Sequence, residues 1–448
     1  MSEARSPQSP DPQYQGQATL LAMETIPVVL LSGLPTLHTL KCIMTGQFFH
    51  IGILCCILFH AGSPILSLAQ APTTMPLTIE PMTSIQGLAQ WDWTQARTTF
   101  VPGTKPISIT TMSRTRQLGS HGYYDIYESI SSDHGRTWSA PRLIPSLSRH
   151  QDAEGYEVAA GDLWPTYHPA THKVIVTGKT FNFANGSQED FLKEKVAYAV
   201  KSLQDGRWGP LKTMDMPSLD HSGANILAAN AGCNQPFVLP GGDLLLPIRY
   251  QRTRDQRVYT SVIARCRFDG EQLVYVEHGT EHSIPRDRGL YEPSLIEHNG
   301  EYFLTLRADH SGFVTKGVDG LSFEKIREWT FDDGKPLESY NTQQHWISAG
   351  GSLFLIYTRR AGDNNHIFRH RAPLFIAEVD PKRLCVMRST ERVLLEENEA
   401  TLGNSGVCQL SANEWLVTCG EGLLRMGKRK NEINKVLFAK VRVINKPK

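Results

Sequence analysis

The sequence has little net charge: 46 Lys and Arg against 45 Asp and Glu leave +1 over 448 residues. That argues against the basic stripe a nucleic acid needs, so no nucleic-acid partner is expected. A chain this neutral is expected to meet a small or acidic ligand through a local site rather than through its overall field. Glycine and proline, at 36 and 26, are not in excess, so low-complexity and collagen-like chains are excluded. No convincing amphipathic helix of several turns follows residue 90, which leaves an all-β reading. Cysteines number 8, but Cys42, Cys55 and Cys56 fall in an apolar leader. Cys233, Cys266, Cys385, Cys408 and Cys419 remain, an odd set at wide spacing with no C-x-x-C, which gives no sign of a structural zinc site. Cys408 and Cys419 flank a candidate turn symmetrically, so a cross-hairpin pair stays open beside the expectation of buried free thiols.

What is there begins with the leader. The stretch from Phe48 to Ala71 has an apolar centre near Ile51 to Phe59, Lys41 upstream and the small-residue end Ala69-Gln70-Ala71. That is the layout of a secretory signal peptide, with Met44 as an alternative start. A membrane anchor is the rival reading, but His60 and Pro64 break the run, which is short for a span of roughly 20 residues. Residues 1–71 are read as leader, 72–90 as linker and 91–448 as the folded part. The product is expected to be secreted or periplasmic, with no stable membrane insertion once the leader is cleaved. Nothing in the sequence speaks to oligomeric state. Asn185-Gly186-Ser187 fits a glycosylation sequon.

One hairpin then recurs. It is found at residues 97–114, 163–179, 234–250, 291–309, 344–360 and 405–421. Each copy is an apolar strand, a turn rich in Gly, Asn or Pro, and a more apolar strand. A more polar stretch able to form two further strands follows each, and "KVLFAKVRVI" completes the last. Six such units predict a six-bladed β-propeller of four-stranded antiparallel blades, which removes long exposed sheet edges by radial repetition. Ser131 to Trp138, "SSDHGRTW", fits the Asp-box pattern, with weaker copies at 201–208 and 315–323. Asp133 is expected to accept backbone N–H groups inside the turn, Gly135 to take a positive φ and Trp138 to pack beneath, so the motif is structural.

Hairpin geometry also predicts the site. The residue before the first strand and the residue after the second lie at the same end of the hairpin. If first strands line a central channel, these positions ring one mouth of it. They pair Arg97 with Arg114, Asp162 with Lys179, Asn234 with Arg249, and Glu292 with Arg307, then bring Gln344 or His345 beside Arg359 and Arg360, and Asn404 beside Glu421. A mouth this rich in Arg suits a carboxylate, which guanidinium binds as a bidentate fork, so an acidic sugar on a glycan is the expected partner. The loops around His345, His366 and His370 add polar density, and a His there is a candidate acid or base. Their spacing matches no metal motif, and neither metal nor cofactor is expected.

On the Asp-box and on Glu292 and Arg307, the region from Arg97 onward resembles the sialidase (neuraminidase) superfamily. The resemblance implies that Arg97, Arg307 and Arg371 clamp a carboxylate; Arg249, Arg359 and His345, from the ring of blade ends, are read as further binding residues. It implies Glu292 as base or activator of a nucleophile, and His121 or Asp125 as proton donor. Asn404 and Ser405 stand where the family's nucleophilic Tyr is expected, and Tyr340 is the nearest substitute. The expected activity is that of a secreted, exo-acting sialidase-like glycoside hydrolase on an acidic sugar. A non-catalytic glycan-binding propeller and a uronate-directed lyase using His and Tyr are the alternatives.

Overall fold

A computed structural model describes residues 77–87, 91–115, 123–184, 188–422 and 434–444. The leader, His121 and the sequon at Asn185 lie outside the described residues. Six antiparallel sheets are arranged as a six-bladed propeller. Each of the six hairpins read from the sequence supplies the inner pair of one blade. They are Asp92–Val101 with Ile107–Thr115, Glu157–His168 with Lys173–Ala184, and Phe237–Val238 with Leu244–Gln251. Tyr291–His298 with Glu301–Arg307, His345–Ala349 with Ser352–Tyr357, and Ser405–Gln409 with Glu414–Gly420 complete the set.

The last blade is closed from both ends of the described chain. Its inner three strands come from the C-terminal side, ending in Lys435–Val443, and its outer strand is Leu77–Pro81. The register pairs Leu77 with Val443 and Ile79 with Val441. Ile85–Gln86 pairs the same C-terminal strand. The segment read as a linker therefore carries two strands. Its alternation is too short to stand out in sequence, and its partner lies more than three hundred residues away in the chain. Closing the ring in this way covers an edge that would otherwise be open to another chain.

An aspartate caps the turn after the third strand in five blades. Asp133 Oδ1 accepts Thr137 N–H at 2.9 Å, and Asp205 Oδ1 accepts Arg207 N–H at 3.1 Å. Asp269 Oδ1 takes Gln272 N–H at 2.7 Å, Asp319 Oδ1 takes Ser322 N–H at 2.6 Å, and Asp380 Oδ1 takes Arg383 N–H at 2.9 Å. In the first blade Gly135 has φ 83° and Trp138 stacks on Phe438 with ring centroids 4.5 Å apart. Some burial opposes ionisation of Asp133, but hydrogen bonds from Thr137 and Ser131 hold its carboxyl down to about 2. Asp133→Ala removes these bonds and is expected to lower stability by about 1–2 kcal/mol without touching the channel, read as a shift of the urea midpoint at unchanged slope.

Cys233, Cys266, Cys385, Cys408 and Cys419 are all buried free thiols. Cys408 faces Leu416 and Cys419 faces Ser405 across their hairpin, so the two thiols are not opposite each other. Among the described residues no helix is long and apolar enough to cross a membrane.

Candidate functional site: one mouth of the central channel

A shared backbone device aims the site. Gln95, Asp162, Cys233, Glu292 and Asn341 each have positive φ, between 48° and 67°. Each stands two residues before a channel-facing side chain: Arg97, Trp164, Gln235, Ser294 and Gln343. In blades one, two and four the ladder register shifts at this point. Left-handed backbone is costly for residues with a Cβ, and its repetition in five blades marks a place where the chain is bent to present side chains. Neighbouring blades are stitched together there. Gln95 Oε1 accepts Asp162 N–H at 2.7 Å, and Cys233 N–H donates to Asp162 O at 3.0 Å. The Cys233 thiol donates to Asp162 Oδ1 at 2.9 Å. Burial first, then the charge of Asp162, pushes that thiol well up, so it remains a protonated donor.

Glu292 and Arg307 form a buried ion pair, 9% and 6% exposed. Arg307 Nη2 also donates to Asn341 Oδ1 at 2.6 Å. Burial works against the Glu292 charge, but Arg307, Arg249 and Arg371 overcome it and hold the carboxyl down to about 2. The Tyr291 ring lies beneath, 4.7 Å from the guanidinium carbons of both Arg307 and Arg288. Its hydroxyl contacts Asp309 at 2.8 Å and Asn341 at 3.0 Å, and burial pushes it up to about 12.

Arg97, Arg249 and Arg371 differ in their surroundings. Arg97 is fully buried inside the channel. It donates to Gln343 Oε1 at 2.8 Å and lies over the Trp164 ring at 5.2 Å. Arg249 is held at 3.2 Å by Asn230 and at 3.7 Å by Glu194, which also pairs Lys179 at 2.6 Å. Arg371 is half-buried and donates to the carbonyl of Asn341 at 3.0 Å. Among the described residues no carboxylate pairs with it, and its Nε is buried without a hydrogen-bond partner. Burial, and then the like charges of Arg307 and Arg369, disfavour its proton and push it down to about 9. The two residues before it, Arg369 and His370, have φ 55° and 52°, a strained approach to the mouth.

The other residues singled out from the sequence have their own partners. Arg359 binds Glu391 of its own blade in a fork, at 2.8 Å and 2.6 Å. Arg97 belongs to the channel interior and has no exposed surface for a ligand. His345 is fully buried between Ser294 at 2.9 Å and Gln343 at 3.0 Å. Burial, and then Arg97, pushes it well below the usual histidine range, so it is a neutral network member, not an acid. Asp125 pairs with Arg114, whose guanidinium lies 4.1 Å from the Trp91 ring. That pairing ties up the carboxyl group read as a proton donor. Tyr340 is on the rim, with the rings of His310 and His370 at 5.9 Å and 5.7 Å and Arg360 at 5.6 Å. It has no hydrogen bond to Glu292 among the described residues. His366 pairs with Glu397 at 3.7 Å, apart from His345 and His370.

Arginine stems pack against the glycines that flank Asn404 and Ser405 in blade six. A Cβ at Gly403 would meet Arg371 Cδ at 2.5 Å, and one at Gly406 would meet Arg97 Cγ at 2.6 Å. The arginine stems occupy the space beside Asn404 and Ser405, and Asn404 Oδ1 accepts Gln343 Nε2 at 2.9 Å. At the other end of the channel a cavity of about 360 Å³ is lined by Phe100, Tyr167, Phe237 and Trp415, with Glu297 as the one acidic or basic residue of its lining. Room and charge are thus at opposite ends.

No protein-family model and no curated protein matches the chain. Solved structures do. A protein of unknown function from Dyadobacter fermentans aligns with 83% of this chain and 100% of its own, at 13% identity and TM-score 0.58. Trypanosoma rangeli sialidase aligns at 13% identity and TM-score 0.54, over 78% of this chain but 55% of its own length. The same enzyme in complex with sialic acid gives 14% identity and TM-score 0.52, over 79% and 54%. NanB sialidase of Streptococcus pneumoniae gives 12%, TM-score 0.54, over 80% and 70%. The fold is therefore that of the sialidase propellers, and the chain spans about half the length of the trypanosomal enzyme.

Proposed function

We propose that the mouth ringed by Glu292, Arg307 and Arg371 binds the carboxylate of an acidic sugar, with sialic acid as the first candidate. One observation carries this reading. Arg371 is a half-buried guanidinium whose Nε is unbonded, beside two other arginines and with no acid of its own among the described residues. Such a charge is held at a cost until an anion arrives to neutralise it. Arg307 stands behind it as a second positive charge. The Tyr340 ring on the rim offers a face for the sugar. Fold neighbours that are sialidases, one in complex with sialic acid, support the substrate class.

Binding without turnover is the favoured form of this proposal. The Glu292 carboxylate is engaged by Arg307, the Tyr291 hydroxyl is engaged by Asp309, and Asn404 and Ser405 occupy the expected place of a nucleophile. Hydrolysis is the second reading. The sialidase fold neighbours favour it, with Glu292 activating Tyr340 or a water and His121 as donor. Incubation with a fluorogenic sialoside separates the two. Saturable binding with no released fluorophore is expected; release supports the hydrolase, and an unsaturated-uronate absorbance with uronate polysaccharides supports a lyase. Neither binding nor turnover with any of these ligands overturns the proposal.

A further inference from the structure

A second cluster lies on the third blade, outside the channel mouth. His221, His278 and Glu281 bring one ligand atom each to within 4.8 Å of one another. His278 Nε2 is 3.3 Å from Glu281 Oε1, and His221 Nδ1 is 4.0 Å from the same oxygen. That 3.3 Å contact is a hydrogen bond, and Glu281 Oε1 also accepts the His221 backbone N–H at 2.7 Å. Ligand atoms about 2.0–2.1 Å from a tetrahedral zinc ion lie roughly 3.3–3.4 Å apart, so this edge has a matching length, while the His221 ring has to turn to bring its nitrogen in. We propose that these three residues bind a zinc-class divalent ion, with water in the remaining position.

The supports behind the ligands fit that role. Tyr275 Oη is 2.7 Å from His278 Nδ1 and accepts its proton in the tautomer that leaves Nε2 bare. Arg252 Nη2 donates to Glu281 Oε2 at 2.7 Å, which fixes the carboxylate with Oε1 toward the histidines. Asp220 is adjacent but is committed to Tyr250 and Arg252, each at 2.7 Å, and is not a ligand. Two imidazoles and one carboxylate select zinc, cobalt, nickel or copper over calcium and magnesium. The His221 and His278 rings stack, 4.0 Å apart and 10° from parallel. That arrangement keeps the two lone pairs from converging. His221 is exposed, so its ring turns toward Glu281 when the ion enters, while buried His278 stays fixed. The ion then joins the loop entering the third blade to the end of that blade's outer strand, Leu273–His278.

The test uses the full chain after chelator treatment. Zinc chloride is titrated calorimetrically into wild type, His221→Ala and Glu281→Gln. His221 is an exposed loop residue, and equal melting temperatures without metal verify that His221→Ala is folded. Wild type is expected to take up one more equivalent than His221→Ala, or to bind it about tenfold or more tightly, and Glu281→Gln to show the same loss. Cobalt substitution is expected to add visible d–d bands without thiolate charge transfer in wild type only. Identical zinc uptake by all three proteins overturns the assignment, because any zinc bound is then held elsewhere in the chain. Absence of zinc binding by wild type overturns it equally.

Discussion

Arg307→Ala is expected to destabilise the propeller by about 3–5 kcal/mol and to abolish binding of an acidic sugar. The stability loss follows from what remains. Glu292 is 9% exposed, and without Arg307 it is a buried carboxylate left with more distant cations. The depression of its carboxyl from 4.5 to about 2 corresponds to about 3 kcal/mol of preference for the ionised form, of which Arg307 is the largest favourable source. The sign of the pH dependence is fixed by the direction of the shift. The folded form binds the proton less readily than the unfolded form. The contribution is therefore fully present above pH 4.5 and is lost as pH falls from there toward about 2. In wild type this is a steep loss of stability over that window, measured by denaturant unfolding at a series of pH values. In Arg307→Ala that portion of the slope is expected to flatten. Glu292→Gln helps apportion the effect: it leaves Arg307 charged and buried, and is expected to cost less because Asn341 still accepts its second nitrogen. An Arg307→Ala protein as stable as wild type, with unchanged pH dependence, removes the pair from the centre of the account.

Arg371→Met is expected to do the opposite to stability and the same to binding. Arg371 is charged at a cost, from burial and from the charges of Arg307 and Arg369. Methionine keeps an unbranched stem of similar reach against Gly403 and removes the charge. Because Arg371 is half-buried, solvent screens part of the penalty, and the expected gain in the free protein is about 1–3 kcal/mol, or several degrees in melting temperature. Sialic acid is then expected to raise the melting temperature of wild type and to leave that of Arg371→Met unmoved. A protein that loses stability when a half-buried, uncompensated arginine is retained, and gains it when that arginine is removed, has kept the residue for a ligand. If Arg371→Met is destabilised and still binds, the uncompensated charge is not the anchor.

The fold was legible because its unit repeats. Alternating apolar residues around Gly, Asn and Pro turns mark the inner pair of each blade, and six marks in a row leave few other closed arrangements. The short strand Leu77–Pro81 was not legible, since its pairing with Lys435–Val443 is a long-range event with a weak local pattern. The site was legible only in part. Arg307 pairs with Glu292, and Arg307 and Arg371 both donate to Asn341, so these three do lie side by side. Arg97 and His345 are also central, but at a depth that sequence position does not encode. Arg359 is paired with Glu391 of its own blade, a contact that its position in the sequence does not reveal. Cys233, Gln95 and Asn341 were missed, although a signal was present: each stands at the same offset before the channel-facing side chain of its blade. That offset needs the left-handed backbone to be known before it means anything.

The most direct test of the carboxylate mouth is a calorimetric comparison of sialic acid with its methyl ester on the wild-type protein. The two ligands share their ring and hydroxyls and differ in the one charge that Arg371 is proposed to read. Saturable one-to-one binding of the acid, with the ester weaker by about tenfold or more, is the predicted result, a difference of about 1.4 kcal/mol at least. Equal affinity for acid and ester, or no binding of either, contradicts it.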